Sequence, residues 1–214
     1  VLFMGEYGTG KTLAMTITAK IASTHGWTVL YLADVRDLAH ALRFAELYAP
    51  ALVVAEDFDK ASVDGDDERS PEINTLLNTL DGLDTKTTPI LTVVTTNHPE
   101  NVHPSFRRPG RLDRFVRFKL PGPAEARELL HRYLGKALSP DAALVRASEK
   151  VSEMGMSPAF IKETAETAIA FTRIRLKANI MDGLVTDEDV LLAIGAMEPH
   201  LGLALNGKGK TLPI

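Results

Sequence analysis

Gly5-Glu6-Tyr7-Gly8-Thr9-Gly10-Lys11-Thr12 is the stretch on which the reading of this chain turns. It follows a continuous apolar run, Val1–Met4, and opens a helical pattern, Lys11–His25, that Gly26 closes. Glycine, four residues, then Gly-Lys-Thr is the phosphate-binding loop pattern. The residue types suit that task. Glycines let the backbone wrap so that its N–H groups converge as an anion nest at a helix start. Lys11 brings a positive charge for terminal phosphates, and the Thr12 hydroxyl suits Mg²⁺. A chance match in a glycine-rich turn would rarely fall between a buried strand and a helix. The expected nucleotide contacts are therefore Gly5, Glu6, Tyr7, Gly8, Thr9, Gly10, Lys11, Thr12 and Leu13, with Mg²⁺ beside the phosphates.

Working outward, short apolar runs alternate with amphipathic stretches. Val1–Met4, Thr28–Leu32, Ala51–Ala55, Pro89–Thr95 and Phe115–Leu120 read as five strands, several too apolar to be half exposed. Lys11–His25, Val35–Tyr48 and Pro71–Leu83 read as the helices between them. Ser70 caps the last of these, with Pro71 at its first position. Such alternation predicts an α/β core, a parallel five-stranded sheet covered on both faces. After Leu120-Pro121-Gly122-Pro123 only helices follow: Ala124–Lys136, Pro140–Met154, Pro158–Ala178 and Asp187–Met197. Ser157 and Thr186 are the natural N-caps of the last two, and the tail from Pro199 reads as loosely held. Two domains are expected, an α/β core over 1–120 and a C-terminal all-α lid over 121–214. A buried strand seldom opens a natural chain, so further residues are expected upstream of Val1.

Composition narrows the class. The 214 residues carry 24 Lys+Arg and 28 Asp+Glu, a net charge of −4, which disfavours a chain-wide electrostatic grip on nucleic acid or an anionic membrane. Hydrophobic residues at 45% exclude a disordered chain. There is no cysteine, hence no disulfide framework or thiolate metal site. No apolar run spans a bilayer, no signal peptide is visible, and a cytoplasmic location is expected.

Chemistry-bearing residues gather at the ends of the expected strands. Glu56-Asp57-Phe58-Asp59 follows the apolar run Leu52–Ala55, where ligands bind in open α/β sheets. One acid can serve Mg²⁺ while its neighbour polarises an attacking water. Asn97 ends the strand Ile90–Thr96, suited to orienting a water, although a lone Asn there is also a common turn former. Arg107-Arg108-Pro109-Gly110-Arg111-Leu112-Asp113-Arg114 then offers planar, always-charged recognition of phosphate oxygens, or a solvated face, or a nucleic-acid patch. His98 and His103 show no ligand spacing, and the lone Trp27 reads as packing.

This series of motifs resembles the AAA family of ATPases, within the AAA+ class, over nearly the whole chain. The resemblance sets Gly5–Thr12 on Walker A, Glu56 and Asp57 on the Walker B acids, and Asn97 on sensor 1. It sets Arg108 and Arg111 on the arginine fingers that reach a neighbouring subunit's nucleotide. It implies a P-loop NTPase fold and a homo-oligomeric ring, usually a hexamer, that hydrolyses ATP between subunits and remodels a protein partner. Glu56 and Thr12 would attend the metal. Ser157 and Ala159 match a lid segment near the adenine, while Pro158 and Phe160 depart from it.

The departures shape the expectation. The family usually places Asp before Glu in Walker B; here Glu56 precedes Asp57, an order similar to that of a mitochondrial inner-membrane AAA translocase group. Asp57 is one methylene shorter than the usual acid, and a misplacement of about 1 Å can cost on the order of 100-fold in rate. Slow but real turnover is expected. Only Val35–Ala41 separate Asp34 from Leu42, which leaves no room for the aromatic-glycine pore loop of related unfoldases. Tyr31 reads as a strand residue, and the acidic run Asp64–Glu68 as a second pore-facing loop or a solvated one. Two alternatives stay open: a nucleotide-gated scaffold with little hydrolysis, and, with weaker support, a nucleic-acid remodeller.

Overall fold

The computed structural model describes residues 1–61, 71–82, 88–108, 110–177 and 184–206. Ser70, Leu83, Pro109, Ala178, the acidic run 64–68 and the tail beyond Asn206 lie outside them. Five strands form: β1 Leu2–Gly5, β2 Thr28–Leu32, β3 Ala51–Ala55, β4 Ile90–Thr96 and β5 Phe115–Phe118. Their order is β2-β3-β4-β1-β5, and every adjacent pair is parallel. The expected parallel five-stranded sheet is the one observed. β3 is wholly buried because it lies inside the sheet and is apolar on both faces.

Each face has its own cover. Helix α1, Lys11–Thr24, lays Met15 against Phe3, Leu52, Val54 and Val93, with Trp27 and Val29 partly buried beside them. Helices α2, Leu38–Glu46, and α3, Pro71–Gly82, bring Leu38, Leu42, Ile73, Leu76 and Leu80 onto Val53, Ala55 and Val94 opposite. The single helix expected from Val35 is instead a 3₁₀ turn, Val35–Asp37, that leads into α2. Asp34 causes that start: its carboxylate accepts the Arg36 backbone N–H at 2.9 Å. Only Ala33 and Asp34 separate β2 from this turn, so no long loop is inserted there.

The topology concentrates loops at one edge. Register pairs Met4 with Thr96 and Ala55 with Val94, so β1, β3 and β4 end side by side. The chain leaves β1 and crosses both β4 and β3 to reach β2, which makes this edge a switch point of strand order. Gly5 closes β1 where β5 passes very near. A Cβ there would lie 2.4 Å from the Phe118 carbonyl oxygen, so only glycine fits.

The chain divides into two compact units, Val1–Lys119 and Leu120–Ile214. The second contains α4 Pro123–Leu134, α5 Val145–Glu153, α6 Pro158–Leu176 and α7 Asp187–Asn206. Leu130, Leu144, Val151, Met156, Ile161 and Ile194 are among its fully buried core. Two boundaries differ from expectation by more than two residues. α5 begins at Val145 rather than Pro140, because Leu144 turns left-handed (φ 54°) to bury its side chain. α7 continues through Pro199 to Asn206, whereas a loose tail was expected. Burial of Met197 and Leu201 extends its apolar face across the proline and offsets the lost backbone hydrogen bond. Ser157 holds the N-cap position of α6 without a side-chain capping bond. Thr186 does cap α7, reciprocally with Asp189: the Asp189 N–H donates to Thr186 Oγ1 at 3.3 Å, and the Thr186 N–H donates to Asp189 Oδ2 at 3.0 Å.

Candidate nucleotide site

The loop between β1 and α1 owes its path to glycine. Gly8 (φ 74°) and Gly10 (φ 98°) take left-handed conformations, and Gly10 sits directly before the first residue of α1. Thr9 Oγ1 fastens the loop by donating to the Glu6 carbonyl at 2.7 Å. Lys11 is buried, and its ammonium donates to the carbonyls of Gly5 at 2.9 Å and Glu6 at 2.7 Å. The cation is therefore held inside the curl of the loop rather than lost to solvent. Leu13 is exposed on the first turn of α1. Tyr7 is exposed as well, its hydroxyl 3.1 Å from His98 Nε2, while His98 Nδ1 lies 3.2 Å from Glu100. Sequence reasoning missed this link from the loop to the end of β4.

The two acids after β3 diverge. Glu56 turns toward α1, where Thr12 Oγ1 donates to its Oε2 at 3.0 Å. Its second oxygen, Oε1, accepts the Tyr31 hydroxyl at 2.9 Å. Asp57 adopts φ 52°, a conformation Asp tolerates better than most residues, and its carboxylate points elsewhere. Asn97 Nδ2 donates to Asp57 Oδ1 at 3.3 Å, and Lys60 Nζ donates to Oδ2 at 2.6 Å. The Asp57 N–H approaches Thr95 Oγ1 at 3.4 Å. The hydrogen bond from Lys60 to Asp57, with the Asp57 charge, raises the ammonium's pKa. Tyr31 is likewise raised above its ordinary value, first by its hydrogen bond to Glu56 and then by burial and the Glu56 charge. A cleft of about 650 Å³ opens beside these groups, lined by Tyr31, Asp34, Arg36, Glu56, Asp57 and Lys60 among others.

Thus Lys11 and Thr12, Glu56, and Asp57 with Asn97 come to one edge, as strand order dictates. Tyr31 and Lys60 join them, and neither was foreseen in that company. Tyr31 pairs with Val54 across β2 and β3, and Val54 shares its sheet face with Glu56 two residues on. Only the strand register reveals that alignment.

The arginines form a separate cluster. Phe106, fully buried on the 3₁₀ turn Pro104–Arg107, meets Phe58 edge-on at 5.0 Å and anchors the segment beneath the sheet edge. Arg111 is gripped within its own chain: Nε donates to Asp81 Oδ1 at 2.6 Å, Nη2 to Asp81 Oδ2, and Nη1 to the Ser105 carbonyl at 2.6 Å. The hydrogen bond from Arg111 holds the Asp81 carboxyl below its usual range, and the Arg108 charge adds to this. Arg108 is exposed. Ser157 and Ala159 belong to the second unit, where Ser157 is buried at the start of α6.

The donor set fits a magnesium nucleotide. Thr12 and Glu56 place two hard oxygens 3.0 Å apart beside a glycine-built nest that retains a buried lysine. Mg²⁺ takes such oxygen ligands with phosphates and waters rather than an all-protein cage. Among the described residues no group of three or more His, Cys, Asp or Glu could hold a metal by itself. No helix among them is long and apolar enough to cross a membrane.

Strand order 2-3-4-1-5, with a glycine-rich loop leading into α1 from a central strand, defines the P-loop nucleotide-binding class. Within that class the chain belongs to the AAA family: the model described as "ATPase family associated with various cellular activities (AAA)" matches residues 1–120. Members bind ATP, generally hydrolyse it, and often form rings. The chain is 31% identical to an ATP-dependent zinc metalloprotease FtsH of Methylibium petroleiphilum, over 94% of this chain and 35% of that protein. It is also 31% identical to a 26S proteasome regulatory subunit 4 homolog of Dictyostelium discoideum, over 94% of this chain and 49% of that protein. An FtsH 3 of Synechocystis is 30% identical over 90% of this chain and 34% of its own length. The chain thus spans between a third and a half of these relatives.

Proposed function

We propose that this chain binds ATP with Mg²⁺ in the Gly5–Thr12 loop and hydrolyses it between subunits of a homo-oligomeric ring, a hexamer by family habit. The observation that carries the reading is the pair of hydrogen bonds joining three loops, Thr12 to Glu56 and Asn97 to Asp57. They sort two adjacent acids into two jobs. Glu56, fixed to Thr12, stands on the metal side. Asp57, fixed to Asn97, stands on the water side and accepts the proton of the attacking water.

Lys11 exchanges the loop carbonyls for phosphate oxygens when nucleotide enters, while the loop N–H groups take up the remaining charge. Mg²⁺, when bound, supplies positive charge that offsets the developing charge on the phosphates. Asn97 orients Asp57 and the water. Arg108, exposed on its loop, is offered to the nucleotide of a neighbouring subunit, and Arg111 shares in that role or braces the loop through Asp81. An arginine supplied in trans is worth roughly 10³–10⁵ in rate for phosphoryl transfer. The relatives named as an ATP-dependent protease and a proteasome regulatory subunit support a protein as the remodelled partner.

The nucleotide-gated scaffold remains the second reading. It draws support from Asp57, both of whose oxygens are already engaged, by Asn97 and by Lys60. Phosphate release measured against protein concentration separates the two. Turnover per subunit that rises with assembly supports the motor; ATP-dependent assembly without phosphate release supports the scaffold.

A further inference from the structure

Glu56 stands where the family has the shorter Asp, so its carboxylate hangs on one more rotatable bond. Thr12 anchors only one of its two oxygens, at 3.0 Å. A carboxylate held at a single oxygen still swings about that contact, which is a poor arrangement for a group that must meet a metal-bound shell in one orientation. The other oxygen is bonded by Tyr31, at 2.9 Å. Tyr31 ends in a hydroxyl on a rigid ring, sits in the regular strand β2, and aligns with Val54 on the sheet face that Glu56 shares. Its ring is well exposed, so packing of the ring does not account for the tyrosine at this place. A phenylalanine would serve the strand equally well; the hydroxyl is what reaches Glu56.

We infer that Tyr31 is a positioning residue for the metal-side acid, clamping the longer Glu56 in the orientation that a shorter Asp would hold unaided. This inference rests on the nucleotide reading of the Gly5–Thr12 loop. It turns the exchanged order of the acids from a defect into a matched set, in which Thr12 and Tyr31 hold opposite oxygens of one carboxylate. Tyr31 touches neither phosphate nor reacting water. Its effect passes through Glu56 alone.

The test is a double-mutant cycle read by Mg²⁺ titration of fluorescent ATP-analogue binding to the full chain, with melting curves to check folding. Tyr31→Phe is expected to raise the Mg²⁺ concentration for half-maximal binding by roughly three- to tenfold, the range for one typical hydrogen bond. Binding of the analogue without Mg²⁺ stays as in the wild type. In the Glu56→Asp background the shorter carboxylate no longer reaches Tyr31, so Tyr31→Phe adds nothing further. An unchanged titration in Tyr31→Phe, or the same shift in both backgrounds, overturns the inference. Lys11→Ala separates the two levels. If it weakens binding strongly while Tyr31→Phe is silent, only the clamp fails; if the analogue binds undiminished in Lys11→Ala, the nucleotide reading fails with it.

Discussion

Two pairs of like charges, Glu56 with Asp57 and Arg108 with Arg111, are treated very differently by this fold. The acids sit at the end of a wholly buried strand, and a left-handed turn at Asp57 sends them to separate partners within the chain. Glu56 meets the phosphate-loop helix and β2, whereas Asp57 meets the end of β4 and the turn after β3. The arginines sit on a loop pinned from below by Phe106. One of them is tied to Asp81 and Ser105, and the other is exposed. The acids thus make an arrangement complete within one chain. The arginines make a mount, tied through Arg111, beside an exposed charge on Arg108. A tied mount suits a group that must act on another molecule with little reorganisation at the moment of reaction.

The sharpest way to break this comparison is to remove each arginine in turn. Arg108→Ala is expected to lower turnover of the assembled protein on the order of 10³-fold with its melting temperature unchanged. Arg111→Ala is expected to lower the melting temperature as well, because Asp81 and the Ser105 carbonyl lose their partner. Identical behaviour in both assays would erase the distinction between mount and presented charge. On the side of the acids, Lys11→Ala is expected to weaken nucleotide binding on the order of 100-fold, measured by fluorescent-analogue titration. Lys60→Met frees one oxygen of Asp57, and turnover is expected to rise up to about fivefold, the most an exposed ion pair is usually worth. No rise would mean that Lys60 does not restrain that acid.

The smallest effect lies in the helical unit, away from both pairs. Burial acts to raise the Asp189 pKa, but hydrogen bonds from the Thr186 backbone and hydroxyl and from Arg175 outweigh it and leave the group lowered. A carboxylate lowered on folding contributes stability that is present above its ordinary range and lost as pH falls through the lowered value. Thr186→Ala is expected to cost about 1 kcal/mol at neutral pH, the usual worth of an N-cap. That difference should shrink below about pH 4, where carboxylates protonate. Denaturant melts of both forms across that pH range check it.

Much of this architecture was legible in the sequence. Apolar runs set between helical patterns marked all five strands within two residues; β3 is the plainest case, since it is wholly buried and its composition says so. The phosphate loop was legible because its glycines are required by backbone geometry. Helix ends were less so: neither the left-handed Leu144 nor the continuation of α7 through Pro199 is dictated locally, since both answer to burial in the helical core. The partners of Glu56 and Arg111 were hidden for the same reason. Tyr31 and Asp81 lie 25 and 30 residues away, and only strand register and helix placement bring them near.

The division of labour between the acids is tested most directly by comparing Glu56→Gln with Asp57→Asn, each measured for Mg²⁺-dependent ATP-analogue binding and for turnover. The account predicts that Glu56→Gln loses the Mg²⁺ dependence of binding, while Asp57→Asn binds the Mg²⁺ complex like the wild type and fails only in turnover. The opposite pattern, with Asp57→Asn impaired in Mg²⁺-dependent binding and Glu56→Gln normal, would contradict it.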